Sequence, residues 1–148
     1  MAFGNTLSLT DGLPLENPYE YQSLIGALQY CTLTRPDISF SVNKLCQFMH
    51  APTFSHLQVA KRLLQYLKGT AHHRLLLSKS PALALTCYSD ADWASCPDDR
   101  RSTSDFYVFL GSSLISWCSS KQKVVSRSSA ESEYRGLSNV VVELIGTV

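Results

Sequence analysis

Tyr88-Ser89-Asp90-Ala91-Asp92-Trp93-Ala94 and, further along, Ser128-Ser129-Ala130-Glu131-Ser132-Glu133-Tyr134 decide how this chain is read. The first stretch closes a strand. Leu83, Leu85 and Cys87 alternate with Ala84, Thr86 and Tyr88 at the two-residue spacing of a pleated backbone. The second opens a helix, because Ser128 to Glu131 has the S-x-x-E form of a capping box, in which Ser128 and Glu131 satisfy the free amides of the first turn. Between them, Phe106 to Leu110 and Leu114 to Trp117 flank Gly111-Ser112-Ser113 and read as a hairpin. The order is therefore strand, strand, strand, helix, with Asp90 on the first element and Glu133 on the last.

Outward from this core, the last helix shows Ala130, Tyr134, Leu137, Val141 and Leu144 as its apolar side. The half upstream of His73 has helical periodicity instead. Asn17-Pro18-Tyr19-Glu20 reads as a capping box, with Asn17 as cap, Pro18 in the first helical position and Glu20 reaching back. Tyr21, Leu24, Ile25 and Leu28 then line one face. Thr34-Arg35-Pro36-Asp37 starts a second helix with Ile38, Val42, Leu45 and Met49 on one side, broken at Ala51-Pro52-Thr53. Leu57, Ala60, Leu63, Leu64 and Leu67 define a third, ended by Lys68 and Gly69. Residues 1–16 read as an irregular lead-in. The expected class is α+β: a three-helix bundle, then a three-stranded antiparallel sheet with one helix.

Composition narrows the partners. The chain has 148 residues, 45% of them hydrophobic, which suits folded domains, and a net charge of +1 that creates no global field. Nucleic acid would have to bind a local patch. Lys61, Arg62, Lys68, Arg74 and Lys79, then Lys121, Lys123 and Arg127, are the clusters available, and solvated faces are the alternative reading of them. Five cysteines at 31, 46, 87, 96 and 118 form no C-x-x-C pair and have no histidine at zinc spacing. They read as reduced thiols of an intracellular protein. No apolar run reaches the roughly 20 residues of a membrane span, so no membrane partner is expected.

The chemistry rests on the acids. Two-metal hydrolysis of a phosphodiester needs carboxylates converging on divalent ions about 4 Å apart, and magnesium takes only a few such ligands besides water. Asp90, closing a strand, is rigidly placed for that role. Glu131 is the capping partner of Ser128, which leaves Glu133, on the edge of the buried face, as the ligand candidate.

Several runs stand in a fixed order: Tyr21 to Tyr30, Leu33 to Ile38, Arg62 to Thr70, Ser89 to Ala94, Asp99 to Ser104, Ile115-Ser116-Trp117, Lys121-Gln122 and Ser128 to Tyr134. Together they resemble the C-terminal part of a copia-type retrotransposon Pol polyprotein. The resemblance implies that residues 17–70 are the thumb-like helical end of a reverse transcriptase. It implies a linker over 71–81 and the opening of a ribonuclease H domain over 82–148. Asp90 and Glu133 match the family's metal-binding acids, implying Mg2+ or Mn2+ as cofactor and an RNA–DNA hybrid as partner. Lys121 and Lys123 would lie near the nucleic-acid path, and Lys61, Arg62, Lys68 and Arg127 supply further cations.

Four departures from the family pattern shape the expectation. The polymerase palm with its paired aspartates is absent, which excludes DNA synthesis. The third carboxylate would fall beyond Val148, and Glu143 cannot replace it, being about 15 Å along the helix from Glu133 and roughly 80° around it. Asp105 stands where the family usually has glycine, and the final residues drift from the family's continuation. The expectation is a truncated domain whose first strand is an exposed edge open to self-association. It would be inactive in isolation, a hybrid-binding module without cleavage, or an inert relic. Its compartment would be the cytoplasm or nucleus, with an organelle left open.

Overall fold

The computed structural model describes residues 7–79 and 84–147, and the chain divides after Leu75 into two compact units. The first is helical: α1 (Pro18–Cys31), a 3-10 turn (Pro36–Ile38), α2 (Ser39–Cys46) and α3 (Phe54–Gly69). Tyr21, Ile25 and Leu28 of α1 meet Ile38, Val42, Leu45 and Phe48, and Leu57, Ala60 and Leu63 of α3 close the same core. Leu64, expected on this face, is 39% exposed, because the buried stripe of α3 runs through 57, 60 and 63 and leaves 64 at its rim.

Two expectations about helix ends change. Asn17 caps α1 by accepting from the Tyr19 amide at 3.0 Å, one residue earlier than a capping box requires, so the reciprocal bond from Glu20 does not form and Glu20 is exposed. The box occurs instead on α3. Thr53 Oγ1 accepts from the His56 amide, and His56 Nδ1 accepts from the Thr53 amide at 3.1 Å. Because Nδ1 accepts, the ring proton sits on Nε2, 3.0 Å from the Ser8 carbonyl. His56 is fully buried and stacks on Phe48 with ring centroids 3.9 Å apart.

The lead-in is therefore part of the packing. Leu7 joins the core, the Leu15 amide donates to Pro52 O, and the Phe54 amide donates to Leu13 O.

The far end of α3 is pinned by Arg35. Its guanidinium forks onto Asp37 at 2.9 and 2.7 Å and donates to Thr70 O and Oγ1, while Tyr66 Oη donates to Asp37 at 2.9 Å. Arg35 first, and the Tyr66 hydroxyl after it, hold Asp37 below the ordinary aspartate range against its partial burial. A lysine offers a point charge in place of the fork. Arg35→Lys is expected to lower stability by about 1 kcal/mol in a urea melt; an unchanged midpoint would refute this account of the pin.

The second unit holds β1 (Leu85–Asp92), β2 (Thr103–Leu110), β3 (Ser113–Lys121) and α4 (Ser129–Thr147). The antiparallel sheet has the order β1-β2-β3. Gly111, at φ 58°, takes the first position of the two-residue turn between β2 and β3, where glycine is favoured for its positive φ. Leu83 lies outside the described residues. β1 is an edge strand, largely exposed along its length. This α+β arrangement is consistent with a partial ribonuclease H-like fold. Among the described residues no helix is long and apolar enough to cross a membrane.

The packing of α4 overturns its expected face. Ser132, Gly136 and Val140, one per turn, are buried, while Tyr134 is 74% and Leu137 50% exposed. The small side chains let the helix approach the sheet closely. A Cβ on Gly136 would stand 3.4 Å from Ser104 Oγ and 3.7 Å from Asp90 O, ordinary contact distances that leave room for a small side chain, while Tyr134 and Leu137 lie on the outward side. Sterics outranked hydrophobicity in choosing the face.

Candidate functional site

The N-terminal turns of α4 are locked to the sheet through Gln122. This buried side chain donates to Ser104 Oγ at 2.6 Å and to Ser132 O at 2.8 Å, and its Oε1 accepts from Ser126 Oγ at 3.0 Å. Ser132 immediately precedes Glu133, and Ser104 lies opposite Ala91, next to Asp90. The amide thus ties α4, which carries Glu133, to β2, the strand paired with the one that carries Asp90. Ser128 caps the helix, with the Glu131 amide donating to its Oγ at 3.1 Å. Glu131 reaches back to the Arg127 amide at 2.8 Å, one residue beyond the expected box partner, and pairs with Arg135 one turn on. Its carboxylate is held below the ordinary range by the Arg127 amide first and by Arg135. Glu131 is structural, as its S-x-x-E spacing indicates.

Asp90 and Glu133 meet at one groove of about 520 Å³, lined also by Ser89, Ala130, Tyr134 and Leu137. The groove runs beside the open edge of the sheet. Asp90 Oδ1 accepts from the adjacent Ala91 amide at 2.9 Å, and among the described residues no cation pairs with either acid. Two unneutralised carboxylates at one open groove fit a divalent ion that keeps most of its water. Among the described residues no group of three or more His, Cys, Asp or Glu converges into a metal cage.

Asp105 lies directly across from Asp90 on the neighbouring strand. Its carboxyl is pushed above the ordinary aspartate value by burial first; the Ser119 side chain opposes the shift, and the nearby charges of Asp90 and Asp92 add to it. A raised folded-state value means that the native protein holds this proton more tightly than the unfolded chain does. Its contribution to stability is full below the unfolded value and is lost as pH rises through the folded one. Asp105→Asn is therefore expected to melt about 1 kcal/mol more stably than the parent at neutral pH. That gap should close as pH falls through the carboxylate range, and a gap independent of pH would count against this cause.

The expected cations differ in surroundings. Lys61, Arg62 and Lys68 are exposed on α3, and Lys123 and Arg127 are exposed in the second unit. Lys123 borders a larger groove of about 830 Å³ with Arg135, Asn139 and Glu143. Lys121 is engaged by Asp99 at 2.8 Å and by Cys96 Sγ at 3.0 Å.

Comparison with known proteins gives the family of the chain. The chain is 52% identical over 144 residues to the retrovirus-related Pol polyprotein from transposon RE1 of Arabidopsis thaliana, covering 97% of this chain and 10% of that protein. It belongs to the copia-type retrotransposon Pol polyproteins. An uncharacterized mitochondrial protein of Arabidopsis thaliana, AtMg00810, is 49% identical over 86% of this chain and 53% of its own length. Secreted RxLR effector protein 161 of Plasmopara viticola is 40% identical over 84% of this chain and 89% of its own length. The chain thus spans about a tenth of the transposon polyprotein RE1. No family model and no solved structure matches.

In this copia-type chain, Asp90 and Glu133 were legible from sequence as acids on the first strand and the last helix. Gln122 enters the family resemblance only through the Lys121-Gln122 pair. Its signal was present: a glutamine just after a serine-rich strand, with serines at 104, 126 and 132 to complete its hydrogen bonds.

Proposed function

We propose that residues 85–147 are the opening of a ribonuclease H-type unit of a copia-type Pol polyprotein, acting on the RNA of RNA–DNA hybrids. The observation that carries this reading is the groove shared by Asp90 and Glu133. In it the two carboxylates would hold Mg2+ or Mn2+, which when bound supplies an activated water and stabilises the leaving oxygen. Asp90 stands on β1 and Glu133 on α4, and the Gln122 tie from β2 to the first turns of α4 would help to hold Glu133 at the groove. Two acids hold divalent ions weakly, and cleavage by this chain alone is expected to be slow or undetectable.

The test is cleavage of a labelled hybrid with magnesium or manganese, beside an Asp90→Asn/Glu133→Gln double variant. Cleavage above the variant supports the reading. Its absence from a folded sample, together with no metal binding at the groove, overturns it.

A second reading, hybrid binding without cleavage, is favoured by the absence of a third converging acid among the described residues. Exposed Lys61, Arg62, Lys68, Lys123 and Arg127 would meet phosphates, giving affinity that falls steeply with salt. The open edge of β1 would also accept a second copy by strand pairing, which sedimentation at rising concentration would reveal.

A further inference from the structure

Cys96 is the buried one of the described cysteines, 3% exposed, and Lys121 Nζ stands 3.0 Å from its sulfur. Among the described residues no other cysteine has a lysine nitrogen at hydrogen-bonding distance. Asp99 closes the group, 2.8 Å from the same Nζ. Burial pushes the Asp99 carboxyl up, but hydrogen bonds with Lys121 and Cys96 outweigh it and hold the group at about 2. The loop that carries Cys96 is itself fixed. The Cys96 amide donates to Arg101 O at 3.1 Å, the Arg100 amide donates to Cys96 O at 2.9 Å, and Ala94 and Arg100 take φ of 53° and 58°. Sulfur and nitrogen are thus held together from two elements, the β1–β2 connection and the end of β3. The Lys121 side chain is 21% exposed, which leaves the nitrogen side of the pair toward solvent.

We propose that Cys96 and Lys121 are a redox-modification site, at which hydrogen peroxide oxidises the thiol and the lysine amine captures the product as a sulfur–nitrogen cross-link. In the first step sulfur is oxidised by two electrons. The peroxide O–O bond breaks, an S–O bond forms, and one water leaves. In the second step Nζ, having given its extra proton to solvent, attacks the sulfenic sulfur. The S–N bond forms, the S–O bond breaks, and the hydroxyl leaves as water with a proton from nitrogen. No second oxidant is required.

The neighbours also order the two steps. Burial favours the neutral amine, but Asp99 and Cys96 hold Lys121 as an ammonium ion. Oxidation of Cys96 removes one of those two holds. The product would tie the β1–β2 connection to β3 and withdraw the charge of Lys121 from the surface.

The test is peroxide treatment of the native chain, alkylation, digestion and peptide mapping by mass spectrometry. The parent is compared with Cys96→Ser, Lys121→Arg and parent protein unfolded in urea. The expected product joins the peptides around Cys96 and Lys121, two hydrogens lighter than their sum, and is released by dithiothreitol. It should be absent from both variants and scarce in urea, and the melt of the oxidised parent should rise and fall back on reduction. The proposal is overturned if Cys96 stays reduced, or ends as sulfinic acid with Lys121 free. It is equally overturned if the joined peptide forms as readily in urea. The last three outcomes need only the parent chain, so a variant that fails to fold does not blunt the test.

Discussion

Asp90→Asn is expected to weaken Mn2+ binding at the α4 groove by about a hundredfold or more, with the fold intact. Outer-shell partners of bound metals already contribute 10- to 100-fold, and a direct ligand carries at least as much. The fold should survive because Asp90 makes only a local bond to the Ala91 amide and sits on an exposed strand. Stability should even rise slightly at neutral pH, since the charge that helps push up the Asp105 carboxyl is removed. Glu133→Gln should give the same loss of metal. Glu131→Gln should not, because that acid is spent on the Arg127 amide and on Arg135. Electron paramagnetic resonance of free Mn2+ separates the three variants. Equal affinity in the parent and in Asp90→Asn would remove Asp90 from the site.

How far the sequence led depended on which force set each feature. The faces of α1 and α2 followed from periodicity, because Tyr21, Ile25, Leu28, Ile38, Val42 and Leu45 fill a core where apolar area decides. The same reasoning failed on α4. There Ser132 and Gly136 win the buried face through close approach, and the apolar moment points the wrong way. The α3 cap was missed because His56 takes the place usually held by glutamate or glutamine in a capping box. Asp90 and Glu133 were readable as types at positions, whereas their shared groove depends on a helix register that hydrophobic spacing misjudged. Asp105 was noticed as a departure from family pattern. Its place across from Asp90 follows from the β1–β2 strand register, which sequence spacing alone did not give.

Gln122→Leu is expected to cost roughly 2 kcal/mol, because it removes three hydrogen bonds at once from a buried place. Ser104 Oγ loses its 2.6 Å donor, Ser132 O loses one at 2.8 Å, and Ser126 Oγ loses its acceptor. Ser126 and Ser104 can turn toward other groups, and the Ser132 carbonyl keeps the helical N–H four residues on, so what is lost is the tie from the sheet to α4. Gln122→Glu tests that point. It keeps the acceptor for Ser126 yet has no N–H for Ser104 or Ser132, so most of the loss should remain. The first turns of α4 would then lift from β2, carrying Glu133 away from Asp90. Gln122→Leu should therefore bind Mn2+ about tenfold more weakly although neither ligand is altered, in the range found for groups that orient metal ligands. Hydrogen exchange at the Ser132 and Glu133 amides should quicken in metal-free protein, which separates displacement of the helix from any failure of the metal site itself. A melt within 1 kcal/mol of the parent, with slow exchange at both amides, would mean that packing of Gly136 and Val140 holds α4 without the glutamine.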